Sequence, residues 1–154
     1  MKNKNTGFTL IEVLIAMLVL AVGLLGLAGL QATSLNNNQR AYYRSQATIL
    51  AYDIADRMRA NRSAVGNYLT SFMDPTTATT KSDCLPTSLP ATGCSQTDMA
   101  ENDLFEWNGE VTNLPGGVGT ITVAAGVYTI DITWDEDRDG EDANNHHFQT
   151  RFRL

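Results

Sequence analysis

Eighteen consecutive residues, Val13 to Leu30, carry no charge, and the residue just before them is a lone carboxylate, Glu12. A stretch of that length is enough to cross a bilayer as a helix, whereas the apolar part of a secretory signal is usually shorter. The segment is therefore expected to be kept as a membrane span. Upstream, Met1 to Gly7 hold Lys2 and Lys4 and no acid, so the positive-inside bias puts the start in the cytoplasm and the rest of the chain outside. A carboxylate in hydrocarbon is expensive unless a partner charge or a bundle interior compensates it. Glu12 is thus a candidate functional residue. The competing reading is a solvated helix-start residue at headgroup level.

The residues around that charge, Gly7-Phe8-Thr9-Leu10-Ile11-Glu12, together with the lysine-bearing leader and the apolar run, resemble the class III signal of type IV pilins and pseudopilins. The resemblance implies that a membrane prepilin peptidase cuts between Gly7 and Phe8 and that Phe8 becomes an N-methylated first residue. It also implies an assembly role for Glu12, whose carboxylate would pair with the positive N-terminus of a neighbouring subunit as helices bundle into a filament core. Before that, the helix would hold the subunit in the inner membrane, with the C-terminal part in the periplasm. One feature departs from the family. Pilins usually carry a helix-kinking proline in this span, and the first proline here is Pro75. Gly23, Gly26 and Gly29 stand in the span instead. Each glycine costs a helix about 1 kcal/mol relative to alanine and so softens it, but small residues equally permit close helix packing.

From residue 31 to 62 the helical period continues and becomes amphipathic, with Tyr43, Ala47, Leu50, Ile54 and Met58 on one face. Arg40, Arg44, Arg57, Arg59 and Arg62 against Asp53 and Asp56 leave this stretch at +3, although the whole chain is −6. Beyond it, residues 63–154 read as an external globular domain. Asp74 to Gln96 holds three of the four prolines, at 75, 86 and 90, and is expected to be an irregular loop. Cys84 and Cys94 lie in it; two cysteines in a chain exported to an oxidising compartment most simply pair with each other. Asp98 followed by Glu101 reads as a capping box, and Leu104, Trp107, Val111 and Leu114 then repeat at helical spacing until Pro115-Gly116-Gly117. Strands are expected at Thr120 to Val123, Val127 to Trp134 and Phe148 to Leu154, where apolar and polar residues alternate. The expected fold is α+β, with a long N-terminal helix, membrane-spanning over 8–30 and amphipathic over 31–62, packed on a small C-terminal antiparallel sheet.

Asp53 to Asn61, Asp103-Leu104, Trp107, Leu114 to Gly117 and the Tyr128 to Trp134 strand resemble the minor pilins of the PilV type. That resemblance implies a subunit that initiates or modulates pilus assembly, serves twitching motility and adhesion, and presents a tip adhesin through contacts with other minor pilins and the major pilin. Two other readings stand beside it: a pseudopilin of a type II secretion system, and a calcium-dependent adhesion module on a membrane anchor. The latter rests on Asp135, Asp137 and Asp139, which have the D-x-D-x-D-G spacing of a calcium loop, although the twelfth position, where an EF-hand needs Glu, is His146. A solvated turn explains the same run more simply, and no other cofactor is expected. His146 and His147 adjoin in a strand, so their side chains point to opposite faces and do not converge on one zinc ion. Residues 101–154 hold eleven acids and three bases, a net of −8, which would repel nucleic acid. No nucleophile, base and orienting group stand at a recognisable spacing, so no catalytic activity is expected.

Overall fold

A computed structural model describes residues 9–84, 93–141 and 145–154. The expected cleavage site at Gly7 and Phe8, the leader, Pro86 and Pro90 lie outside the described residues.

Helix α1 runs from Leu10 to Ala60, 51 residues without a proline. Glu12 sits in its first turn and Arg57 and Arg59 in its last, the sense of charge that the helix dipole favours. Side chains from Leu10 to Leu30 are all exposed, Leu10 at 79% and Leu25 at 74%. This is the one helix among the described residues long and apolar enough to cross a membrane by length and composition. So continuous an apolar surface is not sustainable in water and calls for lipid or other helices around it. Among the described residues, apart from the local helix backbone and the adjacent residues, no heavy atom lies within 4 Å of where a Cβ would stand on Gly23, Gly26 or Gly29. The helix is expected from the sequence to reach residue 62 but stops at Ala60. There Asn61 turns its side-chain amide toward Gln96 O (2.7 Å) and Tyr68 Oη (3.3 Å), and the chain continues as 3-10 turns over Arg62–Tyr68.

By its contacts the chain divides after Ala41, and residues 42–154 form a compact unit of their own. Its core is built on the expected face of α1: Ala47, Ile54 and Met58 are buried, and Tyr43 and Leu50 are partly buried against them. Ala51 and Ala55 are buried beside them and keep that face small enough for a second helix to approach.

That second helix, α2, spans Gln96–Val111. Ser95, not Asp98, caps it: the Ser95 hydroxyl accepts from the Asp98 amide at 3.1 Å and donates to the Asp98 carboxylate at 2.6 Å. Glu101, expected to close a capping box, instead takes Thr79 Oγ1 at 2.6 Å and Lys81 Nζ at 2.7 Å, which ties the preceding loop onto α2. Leu114, the last residue of the helical pattern, lies past the helix end and is buried in the following turn.

Three strands, β1 (Val118–Ala124), β2 (Val127–Trp134) and β3 (His146–Phe152), form an antiparallel sheet in the order β1-β2-β3. Ala125 and Gly126, at φ 49° and 74°, make the two-residue turn between β1 and β2, a geometry matched to the strand twist. β3 begins and ends two residues before its expected span because its register is set by β2, His146 facing Trp134 and Phe152 facing Tyr128. Ile121, Ile130, Ile132 and Trp134 enter the core. At the outer edge of β1, Thr70 bonds Ile121 through both its amide (3.0 Å) and its hydroxyl (3.1 Å), so this edge is partly covered.

Trp107, 1% exposed, joins the three layers. Its indole Nε1 donates to Leu50 O of α1 at 3.0 Å, and its ring lies against Gly119 of β1, where a Cβ would fall 2.3 Å from the ring. Gly117 is under the same kind of constraint, since a Cβ there would meet Val111 O at 2.0 Å.

Candidate functional site

The N-terminal site is a helix face. Glu12, Val13, Ala16, Met17 and Leu20 line one shallow depression on α1, so the only carboxylate of the apolar segment shares its side with small and flexible apolar residues. Such a face provides one anchoring charge and an apolar bed for another helix. Phe8, expected to act with Glu12, lies outside the described residues.

In the unit 42–154 the residues of the Asp53–Asn61 stretch meet those of α2. Arg57 reaches Asp53 (2.9 Å) on its own helix and both Asp103 (2.9 Å) and Glu106 (2.7 Å) on α2. Burial alone would loosen the proton on Arg57. The hydrogen bonds to Glu106 and Asp103 and the fields of Asp53 and Asp103 outweigh it, so the guanidinium holds its charge more firmly than usual. Tyr68 donates to the other oxygen of Asp103, and its phenol is pushed well above the ordinary range by burial first and by that bond second. Asn102, buried on α2, accepts from the Lys81 amide at 3.0 Å and donates to Glu106 at 3.0 Å. Together with the Glu101 bonds this locks the 79–81 loop, the two helices and the 3-10 segment into one polar seam above the apolar core. Tyr68 and Asn102 were not legible as part of it, since a tyrosine in a glycine- and asparagine-containing stretch and an asparagine in a helix carry no such mark in sequence.

Cys84 and Cys94 are joined as a disulfide with Cα atoms 4.8 Å apart. The bond closes a loop of ten residues' separation directly in front of Ser95, the cap of α2. No cysteine is left free.

Asp135, Asp137 and Asp139 are brought together, with one carboxylate oxygen from each lying within 4.8 Å of the others. The turn also satisfies itself. Asp135 accepts from the Arg138 amide at 2.6 Å and the Gly140 amide at 3.0 Å, and Asp139 accepts from the Glu141 amide. For Asp135 burial acts upward, but the amides of Gly140 and Arg138 prevail and hold its carboxyl below the usual range. Asp137 is raised by desolvation first, then by its side-chain contact with Asp135 and by the fields of Asp139 and Asp135. His146 and His147 part as strand neighbours do, His146 to Glu136 at 2.8 Å and His147 toward Asp131 at 3.6 Å.

Two family profiles match the chain. One, described as a prokaryotic N-terminal methylation motif, covers residues 2–28, and the other, described as type IV pilin Tt1218, covers residues 29–105. No curated protein and no solved structure matches. The pilin profile spans half of the sequence and includes the lower part of α1, the disulfide-closed loop and the start of α2 with Asp103 and Leu104. An apolar first helix, a methylation motif over it and an α+β unit behind it agree with one another, and the chain belongs to the type IV pilins.

Proposed function

We propose that this pilin is a minor subunit of the PilV type, which initiates or modulates pilus assembly through other minor pilins and helps to present a tip adhesin. The observation that carries the reading is the convergence of the PilV-like residues. Asp53 and Arg57 from α1, Asn61 just past its end, Asp103, Leu104 and Trp107 from α2, and the Leu114 to Gly117 turn all belong to one interlocked core and seam. Pilins are structural subunits, and the methylation motif implies processing by a prepilin peptidase and assembly with other pilins. The apolar helix anchors the subunit in the membrane until it is drawn into a filament. A periplasmic position for residues 42–154 rests on Lys2 and Lys4 ahead of the span.

Processing is tested by intact mass, with and without a prepilin peptidase. The wild-type chain is expected to lose Met1 to Gly7 and gain one methyl group, and Gly7→Ala to stay uncut. A wild-type chain that is uncut in the presence of the peptidase removes the basis of the reading. The choice of machine is tested in sheared surface filaments. A minor pilin is a small fraction of the subunits there and its deletion changes the number of filaments. A pseudopilin is absent from them, and its deletion leaves folded cargo in the periplasm.

A calcium-dependent role is a second reading, favoured only by the convergence of Asp135, Asp137 and Asp139. Millimolar calcium, but not magnesium, is expected on that reading to raise the melting temperature of the detergent-solubilised chain. An unchanged melt sinks it and leaves the run as a self-bonded turn.

A further inference from the structure

Within residues 42–154, a groove of about 420 Å³ opens where α1 meets α2, and Asp53, Pro75, Phe105, Glu106, Gly109 and Glu110 are among its lining residues. The groove is open to a partner. The side chains of Asp53 and Glu106 are each 45% exposed, and Phe105, Gly109 and Glu110 are exposed beside them. Asp53 and Glu106 are held close together because both bond Arg57, at 2.9 and 2.7 Å. That one cation is shared by three carboxylates, Asp103 being the third, and Glu110 takes the neutral Asn113 amide at 3.2 Å. The groove therefore keeps an excess of negative charge. Glu106 and Glu110 stand one turn apart on α2, a spacing at which like charges weaken a helix. Gly109, between them in sequence, weakens it again relative to alanine. A Cβ on Gly109 would meet nothing within 4 Å beyond its own stretch of helix, so no contact inside the chain calls for a glycine there. Its bare backbone, four residues after the exposed Phe105 ring, lets another chain come close.

We infer that this groove docks the arginine pair Arg40 and Arg44 on α1 of a second copy of this chain, Glu106 and Glu110 taking the guanidinium groups while Phe105 and Gly109 receive the aliphatic stems. The pair matches the groove in sign and in spacing. Arg40 and Arg44 are exposed and four apart in α1, as Glu106 and Glu110 are in α2, and four helical residues advance about 6 Å. Each like-charged pair is unfavourable by itself, and both are relieved when they face each other. Arginine also suits the mixed lining, since its guanidinium forks onto carboxylates and stacks on an aromatic face while its stem covers apolar surface. The same asymmetry runs through the chain, +3 over residues 31–62 against −8 over residues 101–154. Groove and arginine pair are different surfaces, so the contact is heterologous and two joined copies leave one of each open to further subunits. That the occupant is a pilin subunit rests on the filament reading above.

The test uses two full-length variants in one detergent. Arg44→Gln, 15N-labelled, keeps the groove; Glu110→Gln, unlabelled, keeps the arginines. Both changes are at exposed positions, and melts confirm that both variants fold. The Gly109 amide signal of the labelled chain, assigned with Gly109→Ala, is expected to move saturably as the unlabelled chain is added, while Gly126 in the β1–β2 turn stays still. Replacing the unlabelled chain by unlabelled Arg44→Gln should weaken the response about fivefold, the most that one exposed ion pair usually contributes, and so should placing Glu110→Gln on the labelled chain. Added sodium chloride should weaken it too. Ethylguanidinium should move the same signal, and neutral urea at equal concentration should not. A Gly109 signal that saturates with neither the second chain nor ethylguanidinium overturns the groove, as does an equal response in Glu110→Gln. Saturation with ethylguanidinium together with a response to the second chain that is unaltered by Arg44→Gln overturns the second copy's arginines as the occupant, in favour of a basic group on another subunit. The readout needs neither cleavage nor a filament, so its failure is distinct from a failure of the pilin reading.

Discussion

Trp107→Ala is expected to be the most destabilising single substitution in residues 42–154, costing about 3–5 kcal/mol. The indole is buried, fills the space between α1, α2 and β1, and satisfies Leu50 O, a carbonyl within α1. Truncation would leave a void that three regular elements cannot easily close around, together with a lost hydrogen bond. Domains of this size have roughly 5–15 kcal/mol in total, so the variant should lose a large share of its stability and accumulate poorly. A coupled result makes the mechanism specific. Gly119→Ala alone should cost about 1–3 kcal/mol, because its methyl would overlap the indole ring. In the Trp107→Ala background the same methyl enters the void, so the double variant should be more stable than the two single losses predict when summed. Denaturant melts of the four proteins in one detergent measure this directly. Strict additivity would show that the ring and Gly119 do not touch in solution.

The parts that were legible in sequence are those in which one pattern dominates its physics. The apolar run fixes α1, period-two alternation fixes β2 from Val127 to Trp134, and the face through Ala47, Ile54 and Met58 lies where the helical period puts it. The misplaced boundaries are those settled by a partner distant in sequence. Asp98 looked like a cap, but Ser95 is three residues ahead of it and Glu101 is occupied by Lys81 and Thr79. β3 looked as though it reached Leu154, but β2 ends its pairing at Tyr128, opposite Phe152. The two-residue turn at Ala125-Gly126 went unread because alanine seldom takes the positive φ it has there. At the candidate sites, Glu12 and the two cysteines were marked by composition alone. The Arg57 seam was not, since it is assembled from residues that are individually ordinary and are made notable only by what the fold sets beside them.

Glu12→Gln is expected to separate membrane storage from assembly. The substitution keeps size and hydrogen-bonding capacity but removes the charge, and in hydrocarbon a neutral amide is cheaper than a carboxylate. Retention of the helix in the inner membrane should therefore be equal to wild type or better. Incorporation into filaments should fall at least about tenfold, because on the proposed role the carboxylate is compensated only when it meets the positive N-terminus of a neighbour, and removing one member of a desolvated pair leaves the other charge unpaired. Glu12→Asp, which keeps the charge on a shorter side chain, should assemble better than Glu12→Gln. The measurement is the ratio of subunit in sheared filaments to subunit in the inner membrane for wild type and both variants, with cleavage after Gly7 checked by mass so that a processing defect is not taken for an assembly defect. Equal ratios in all three would mean that Glu12 sits solvated at the headgroup level, as its place in the first turn of α1 also permits. Recruitment into the filament would then be left to the apolar face formed by Val13, Ala16, Met17 and Leu20. A collapse of the ratio in Glu12→Gln with recovery in Glu12→Asp would instead identify charge, not shape, as what draws this helix out of the lipid.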